Sequence, residues 1–237
     1  MDINCDLGEG MTNDAELMAK VDSCNIACGG HAGDKQSMLE TLRLAKRYGV
    51  KAGAHPSFED KENFGRVVLR VPLNALKSQL IHQIASLNEL AKAEGMKLYH
   101  VKAHGALYHE TAHSREMANI LIEAVNFFKE DLCIFVPYGS MLEEEVRRKG
   151  IRHWVEVFAD RNYDDRLQLL PRSVPNAVIN DPKEIKKRVY RMINEKSVIT
   201  STRHELNIDF DTICVHGDHP EALEILKELR DIKIKKN

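Results

Sequence analysis

Reactive residue types recur in this sequence where short apolar runs end. Asn4 and Asp6 lie in the first run, and Glu9 follows three residues later. The second run holds Asn25 and leads into Cys28-Gly29-Gly30-His31. His55 ends the third, Lys102 and His104 the fourth. Asp160 and Arg161 follow the sixth, and His216 and Asp218 the seventh. Together these residues supply what hydrolysis of a small polar substrate requires. Carboxylates and imidazoles move protons, while lysine and arginine hold negative charge. Glycines such as Gly29 and Gly30 would let the backbone approach a bound molecule.

Each residue also has a plainer reading. Asp6 would serve as a cap as well as a base. Cys28 has no adjacent base in the sequence, which favours packing or pocket lining over nucleophilic attack. His82 and His153 lie in helical or connecting segments and read as surface or satisfied core. His109 and His113 follow a turn and read as lining a helix start. Lys102 resists such a reading: a lysine beside Leu98-Tyr99-His100-Val101 is costly to bury unless paired or placed in a polar cavity. Asp6, His55, His104 and His216, with Asp218, are suitable donors for zinc or a similar divalent ion. No tight spacing such as His-x-x-x-His links them, so any metal signal is one of composition only.

The elements that must position these residues alternate along the chain. Strands are predicted at Ile3–Asp6, Ser23–Ala27, Lys51–Ala54, Leu98–Lys102, Leu132–Val136, Val155–Phe158 and Thr212–His216. Val198–Ile199 is a candidate eighth. Leu73, Leu76, Leu80, Ile84, Leu87 and Ala91 recur at spacings of three and four and predict a long helix. Similar stripes begin at Met38, Met117, Ile185 and Ala222. Pro182 and Pro220 suit first helical turns, and Gly49, Gly95 and Gly150 suit helix ends. No linker or shift in composition divides residues 1–237. The reading is α/β: a single-domain, seven-stranded β/α barrel, distorted and TIM-like. A doubly wound open sheet is the alternative, but Gly8-Glu9-Gly10 is too short for its phosphate turn. In a parallel barrel the strand ends share one face, so the residues above would converge.

Composition narrows the function. The 237 residues carry a net charge of −2, with 43% hydrophobic and 30% charged residues. There is no basic excess to attract nucleic acid or an anionic membrane. The run Lys233–Lys236 reads as a short solvated tail. The five cysteines are odd in number and lie in or beside apolar runs, as expected of a reduced, cytoplasmic protein. No secretory signal and no apolar run of about 20 residues is present.

The same segments resemble the A-subunit family of 5-oxoprolinase, the lactam-utilisation proteins. Ile3-Asn4-Cys5-Asp6-Leu7-Gly8-Glu9-Gly10 is similar to the family's first motif, and Ser23 to Asp34 to its second. Gly53-Ala54-His55-Pro56 with Phe64-Gly65-Arg66 matches the third, and Val101-Lys102-Ala103-His104-Gly105-Ala106-Leu107-Tyr108 the fourth. Glu156 to Arg161, with Tyr163 and Pro171-Arg172, matches the fifth, and Cys214-Val215-His216-Gly217-Asp218 the last. Departures are Ala103 for a usual proline, Gly30 for an aromatic, Ser57-Phe58 for a Gly-aromatic pair and Val67 for a second arginine. A glycine expected between Asp165 and Leu169 is also missing.

The resemblance implies a seven-stranded barrel related to the polysaccharide deacetylases. It implies ATP-dependent opening of 5-oxo-L-proline to L-glutamate, with ATP as co-substrate and separate partner subunits B and C. The chain has no Gly-x-x-x-x-Gly-Lys-Ser/Thr run, which fits activation of the lactam by the partners. On that basis Asp6 is the expected base, with His55 or His104 as proton shuttle. Lys102 and the backbone around Gly29-Gly30 would hold negative charge, and Arg66 or Arg161 a carboxylate or phosphate. Asn4, Glu9, Asn25, Cys28, His31, Asp160, His216 and Asp218 would complete the substrate pocket. Two other classes stay open: a stand-alone metal-dependent deacetylase or amidohydrolase, and a small-acid-binding component without chemistry.

Overall fold

The structure, a computed structural model, describes residues 1–234. The tail expected at Lys233–Lys236 falls at and beyond that limit, outside the described side chains. Nine strands form among the described residues: β1 (Asp2–Leu7), β2 (Ser23–Ala27), β3 (Lys51–His55), β4 (His100–Val101), β5 (Cys133–Pro137), β6 (His153–Phe158), β7 (Ser197–Ile199), β8 (Glu205–Asn207) and β9 (Thr212–Val215). All but β7 and β8 close a parallel barrel in the order β1-β2-β3-β4-β5-β6-β9. The helices are α1 (Asp14–Met18), α2 (Lys35–Tyr48), α3 (Leu73–Ala93), α4 (Gly105–His113), α5 (Arg115–Asn126), α6 (Met141–Arg148), α7 (Pro182–Asn194) and α8 (Ala222–Ile234).

Strand alternation divides the molecule into two environments. On β1, Ile3, Cys5 and Leu7 join the apolar core between barrel and helices. Asp2, Asn4 and Asp6 form hydrogen bonds across the barrel interior. The stripe predicted for α3 is buried at Leu76, Leu80, Ile84, Leu87 and Ala91. Each large side chain there contributes about 1.5–3 kcal/mol by leaving water. Local signals set the helix ends. Asp34 and Ser37 cap α2 reciprocally, and Gly49, at φ 67°, ends it in the left-handed region. Pro182 opens α7 behind Asp181, whose carboxylate accepts from Lys183 N at 2.9 Å.

Two expectations need correction. Val198–Ile199 does lie in a strand, but β7 pairs antiparallel with β8 outside the barrel. β6 and β9 pair directly with each other, so the closed barrel has no place for an eighth strand. The fourth barrel strand is also shorter than Leu98–Lys102: only His100 and Val101 are in it, and Lys102 follows its carboxyl end. Helices α1, α4 and α6 were not among the predicted stripes. α1 and α6 are only five and eight residues long, too short for a firm helical period.

Candidate active site

Polar side chains fill the barrel interior in tiers. At the amino-terminal end, Asp2 accepts from Ser23 Oγ (2.8 Å), Thr212 Oγ1 (2.8 Å) and Lys51 Nζ (3.0 Å). In the middle, Asn4 Nδ2 donates to Thr212 Oγ1 (2.8 Å) and Glu156 Oε1 (2.9 Å). Asn25 Nδ2 donates to Asn4 Oδ1 and Asp6 Oδ1, each at 2.8 Å, and His100 Nε2 donates to Asn25 Oδ1 at 2.7 Å. Gly53 makes room for this tier, because a Cβ there would lie 2.2 Å from His100 Nε2.

Lys102 crowns the stack. Its ammonium is 2.9 Å from Asp6 Oδ1, 3.1 Å from Glu156 Oε1 and 3.0 Å from Cys214 Sγ, with only 2% of the residue exposed. Burial works against this charge, but Asp6, the Cys214 sulfur and Glu156 outweigh it and hold the group well above the usual lysine range. Burial likewise pushes the Asp6 carboxyl up, but Lys102, then His55, override it and hold Asp6 well below the carboxylate range. Asp6 is therefore an anion.

Beside Asp6 lies a group of three imidazoles and one carboxylate. His55 Nδ1 donates to Lys102 O (2.8 Å), and His104 Nε2 donates to Phe64 O (2.9 Å). Their remaining nitrogens, His55 Nε2 and His104 Nδ1, are 3.0 Å apart. Glu9 Oε1 is 3.9 Å from the first and 3.5 Å from the second. His31 bridges Glu9 Oε1 (2.9 Å) and Ser57 Oγ (3.1 Å) and stacks on His104, with centroids 3.6 Å apart. Burial, reinforced by Asp6, holds the Glu9 carboxyl well above its usual range. Burial, reinforced by His55, lowers His31 to about 2 and takes His104 well below the imidazole range.

A cavity of about 660 Å³ opens over this floor. Asp6, His55, Lys102, His104 and His216 line it, as do Arg66, Arg161 and Arg172. These residues come from β1, the ends of β3, β4 and β9, and the segment after β6, which are the carboxyl ends of the strands. His216 Nδ1 bonds Asp160 Oδ2 at 2.8 Å. Burial raises the Asp160 carboxyl, but His216 outweighs it and brings it down to about 2. At the rim Asp218 pairs with Arg66 (2.5 Å) and Arg172 (3.5 Å).

The sequence-predicted residues thus fall into distinct places. Asp6, His55, Lys102, His104, His216, Arg66 and Arg161 meet at the cavity. Glu9 and His31 stand behind the two histidines, and Asp160 behind His216. Asn4 and Asn25 are fully buried below Asp6 and serve it through hydrogen bonds rather than reaching the cavity. Cys28 is buried, and burial pushes its thiol up to about 12, so it is no thiolate. The glycine pair differs from expectation. Gly29 N donates to Ala32 O, and a Cβ at Gly30 would lie 2.4 Å from Ser57 Oγ and 2.5 Å from Gln83 Oε1. Gly30 therefore serves close packing against those side chains, and the Gly29 N–H is already used. Lys102 has its hydrogen-bonding capacity committed to protein atoms, so it charges the floor without a donor to spare for a ligand.

Sequence reasoning missed Glu156 as a partner of Lys102. Its signal was present: a carboxylate inside the apolar run Trp154 to Phe158. His109 was read as lining a helix start, yet it also lines the cavity, where burial, then Arg161, lowers it to about 4. The segment Asp164 to Ser173, which supplies one cavity wall, has no periodicity to announce it.

The motifs that gather here extend across known proteins. Over 236 residues the chain is 42% identical to the 5-oxoprolinase A subunit of Campylobacter jejuni serotype O:2, covering 98% of this chain and 92% of that protein. It is 39% identical to the Staphylococcus aureus (strain JH9) protein of the same name, covering 99% and 96%. The crystal structure of the lactam utilization protein from Thermus thermophilus superposes with a TM-score of 0.91 at 38% identity, over 98% of this chain and 97% of that one. The LamB/YcsF family model matches residues 1–237, and with a shared fold and these near full-length relatives, the chain belongs to the LamB/YcsF family.

Proposed function

We propose that this chain is the A component of an ATP-dependent 5-oxoprolinase, a hydrolase that opens the lactam of 5-oxo-L-proline to L-glutamate. The observation that carries the reading is a small cavity with an ionised Asp6 at its floor and arginines at its wall and rim, in a chain whose relatives bear that name. The cavity's volume suits a small molecule. Arg66, Arg161 and Arg172 offer planar guanidinium groups that match a carboxylate or a phosphate.

A lactam is a poor electrophile. In this reading, partner subunits B and C phosphorylate its oxygen with ATP, and this chain acts on the activated ring. Asp6, oriented by Lys102 and Asn25, accepts the proton of a water that attacks the ring carbon. The ring C–N bond then breaks, and the nitrogen leaves with a proton from the Asp160–His216 dyad at the wall. The γ-glutamyl phosphate so formed takes a second water and gives glutamate and phosphate. The dyad replaces His55 or His104 as shuttle, since the free nitrogens of those two rings face each other. Asp6→Asn or Asp160→Asn would then cost about 10²–10⁴-fold in rate. Five unpaired, buried thiols agree with a cytoplasmic setting. Among the described residues no helix is long and apolar enough to cross a membrane.

The test is reconstitution. The chain is mixed with candidate subunits B and C, ATP and 5-oxoproline, and glutamate is measured with each component omitted in turn. Full dependence on this chain and on Asp6 is expected. Glutamate formation by B and C alone, or undiminished turnover with Asp6→Asn, overturns the reading. ATP-independent turnover by this chain alone makes it a stand-alone amidohydrolase.

A further inference from the structure

We propose that Glu9, His55 and His104 form a binding site for a divalent transition-metal ion, with zinc the best match to this donor set. A backbone carbonyl only accepts, so His55 must carry its proton on Nδ1, toward Lys102 O, and His104 on Nε2, toward Phe64 O. In neutral rings this leaves His55 Nε2 and His104 Nδ1 as bare lone pairs. They face each other at 3.0 Å, a contact that is repulsive unless one ring carries a second proton or a cation stands between or beside them.

The geometry fits an ion. Metal–ligand distances of about 2.0–2.1 Å in a tetrahedral set place neighbouring donor atoms roughly 3.3 Å apart. The three separations here are 3.0, 3.5 and 3.9 Å. These separations bracket that spacing. Both imidazoles also follow the habit of metal-bound histidines, whose second nitrogen is fixed by a carbonyl or carboxylate. Two histidines and one carboxylate make a common set for zinc or ferrous iron, with positions left for water.

Four donor atoms, counting one from His31, lie within 4.8 Å of one another. His31, however, stacks on His104 with the rings 3° from parallel. Their in-plane lone pairs therefore run in separate planes, and one ion lies in the plane of only one ring. His31 is instead the positioning residue for Glu9. Its Nε2 is 2.9 Å from Glu9 Oε1 and its Nδ1 is 3.1 Å from Ser57 Oγ, which fixes the Glu9 carboxyl in place. This set differs from the one that composition suggested. Asp6 and His216 are not among the residues whose donor atoms all lie within 4.8 Å of one another, so neither is assigned to the ion. The site shares the cavity of the proposed hydrolase but does not rest on the lactam reading.

The test uses the chain alone, without ATP or lactam. It is stripped with a chelator and titrated with Zn2+ by calorimetry, and metal content is measured by elemental analysis after dialysis. One ion per chain is expected. Glu9→Gln, His55→Ala and His104→Ala should each weaken binding at least 100-fold, and His31→Ala about 10–100-fold. His113→Ala, on an exposed histidine outside the group, should leave it unchanged. For a measurement that needs no variant, Co2+-loaded wild type should show the visible bands of a four- or five-coordinate nitrogen–oxygen site. Absence of stoichiometric binding by the wild type, or full binding by the His55→Ala/His104→Ala double variant, overturns the proposal. Either result leaves the oxoprolinase reading to its own assay.

Discussion

Replacing Lys102 by methionine is the sharpest probe of the charge arrangement on which the floor depends. Methionine fills much of the space of the lysine stem but leaves Asp6 and Glu156 without the ammonium now 2.9 and 3.1 Å away. Both carboxylates are at least 95% buried. Removing one partner of such a buried group costs about 3–5 kcal/mol, because the remaining charge has no compensation. For a domain of this size each kcal/mol lowers Tm by about 2–4 °C, so a loss of about 10 °C is expected at neutral pH. The pH dependence carries the diagnosis. In the wild type, Asp6 has a depressed folded pKa, so its stabilisation is present above the unfolded value of about 3.9 and is lost as pH falls further. In Lys102→Met the largest influence opposing burial is gone and His55 opposes it only in part, so that pKa rises and protonation relieves the penalty. The Tm gap between the proteins should therefore narrow as pH falls from about 7.5 to about 5. Thermal melts followed by circular dichroism across that range measure it. A gap under about 2 °C at neutral pH, or one that does not change with pH, would refute the paired-charge account. Adding Glu156→Gln to Lys102→Met should recover part of the loss.

Other perturbations test neighbouring features. Gly53→Ala places a methyl 2.2 Å from His100 Nε2 and should cost about 1–3 kcal/mol in urea unfolding; wild-type stability would show that His100 moves freely. Asp160→Asn removes a carboxylate whose folded pKa of about 2 lies below the unfolded value. The stability it lends is complete above about pH 4 and disappears as pH falls toward 2, so the variant should be less stable at neutral pH and converge with the wild type in acid. Gly30→Ala drives a methyl against Ser57 and Gln83 and should lower Tm; an unchanged Tm would mean that these polar ends yield at little cost.

The sequence by itself determined where the barrel strands and the longer helices lie, because side-chain period and cap chemistry are local; the short elements α1, α6 and β8 carried no such signal. The α3 stripe, the Asp34 cap and the left-handed glycines after helices needed no tertiary information. Polar residues at strand ends also foretold where the cavity would open, since parallel strands in a barrel point one way. Tertiary structure alone decided what those residues do to one another. Asp6 and Lys102 are 96 residues apart in sequence, and only barrel closure places them at 2.9 Å and reverses the cost of burying each. The roles of Glu156, Gly30 and the Val198–Ile199 run likewise depend on partners brought from distant segments. So does the opposition of the His55 and His104 lone pairs, which follows from two ring rotations fixed by the carbonyls of Lys102 and Phe64. Periodicity is encoded within a few residues, whereas electrostatics and hydrogen bonding act through space across whatever the fold brings together.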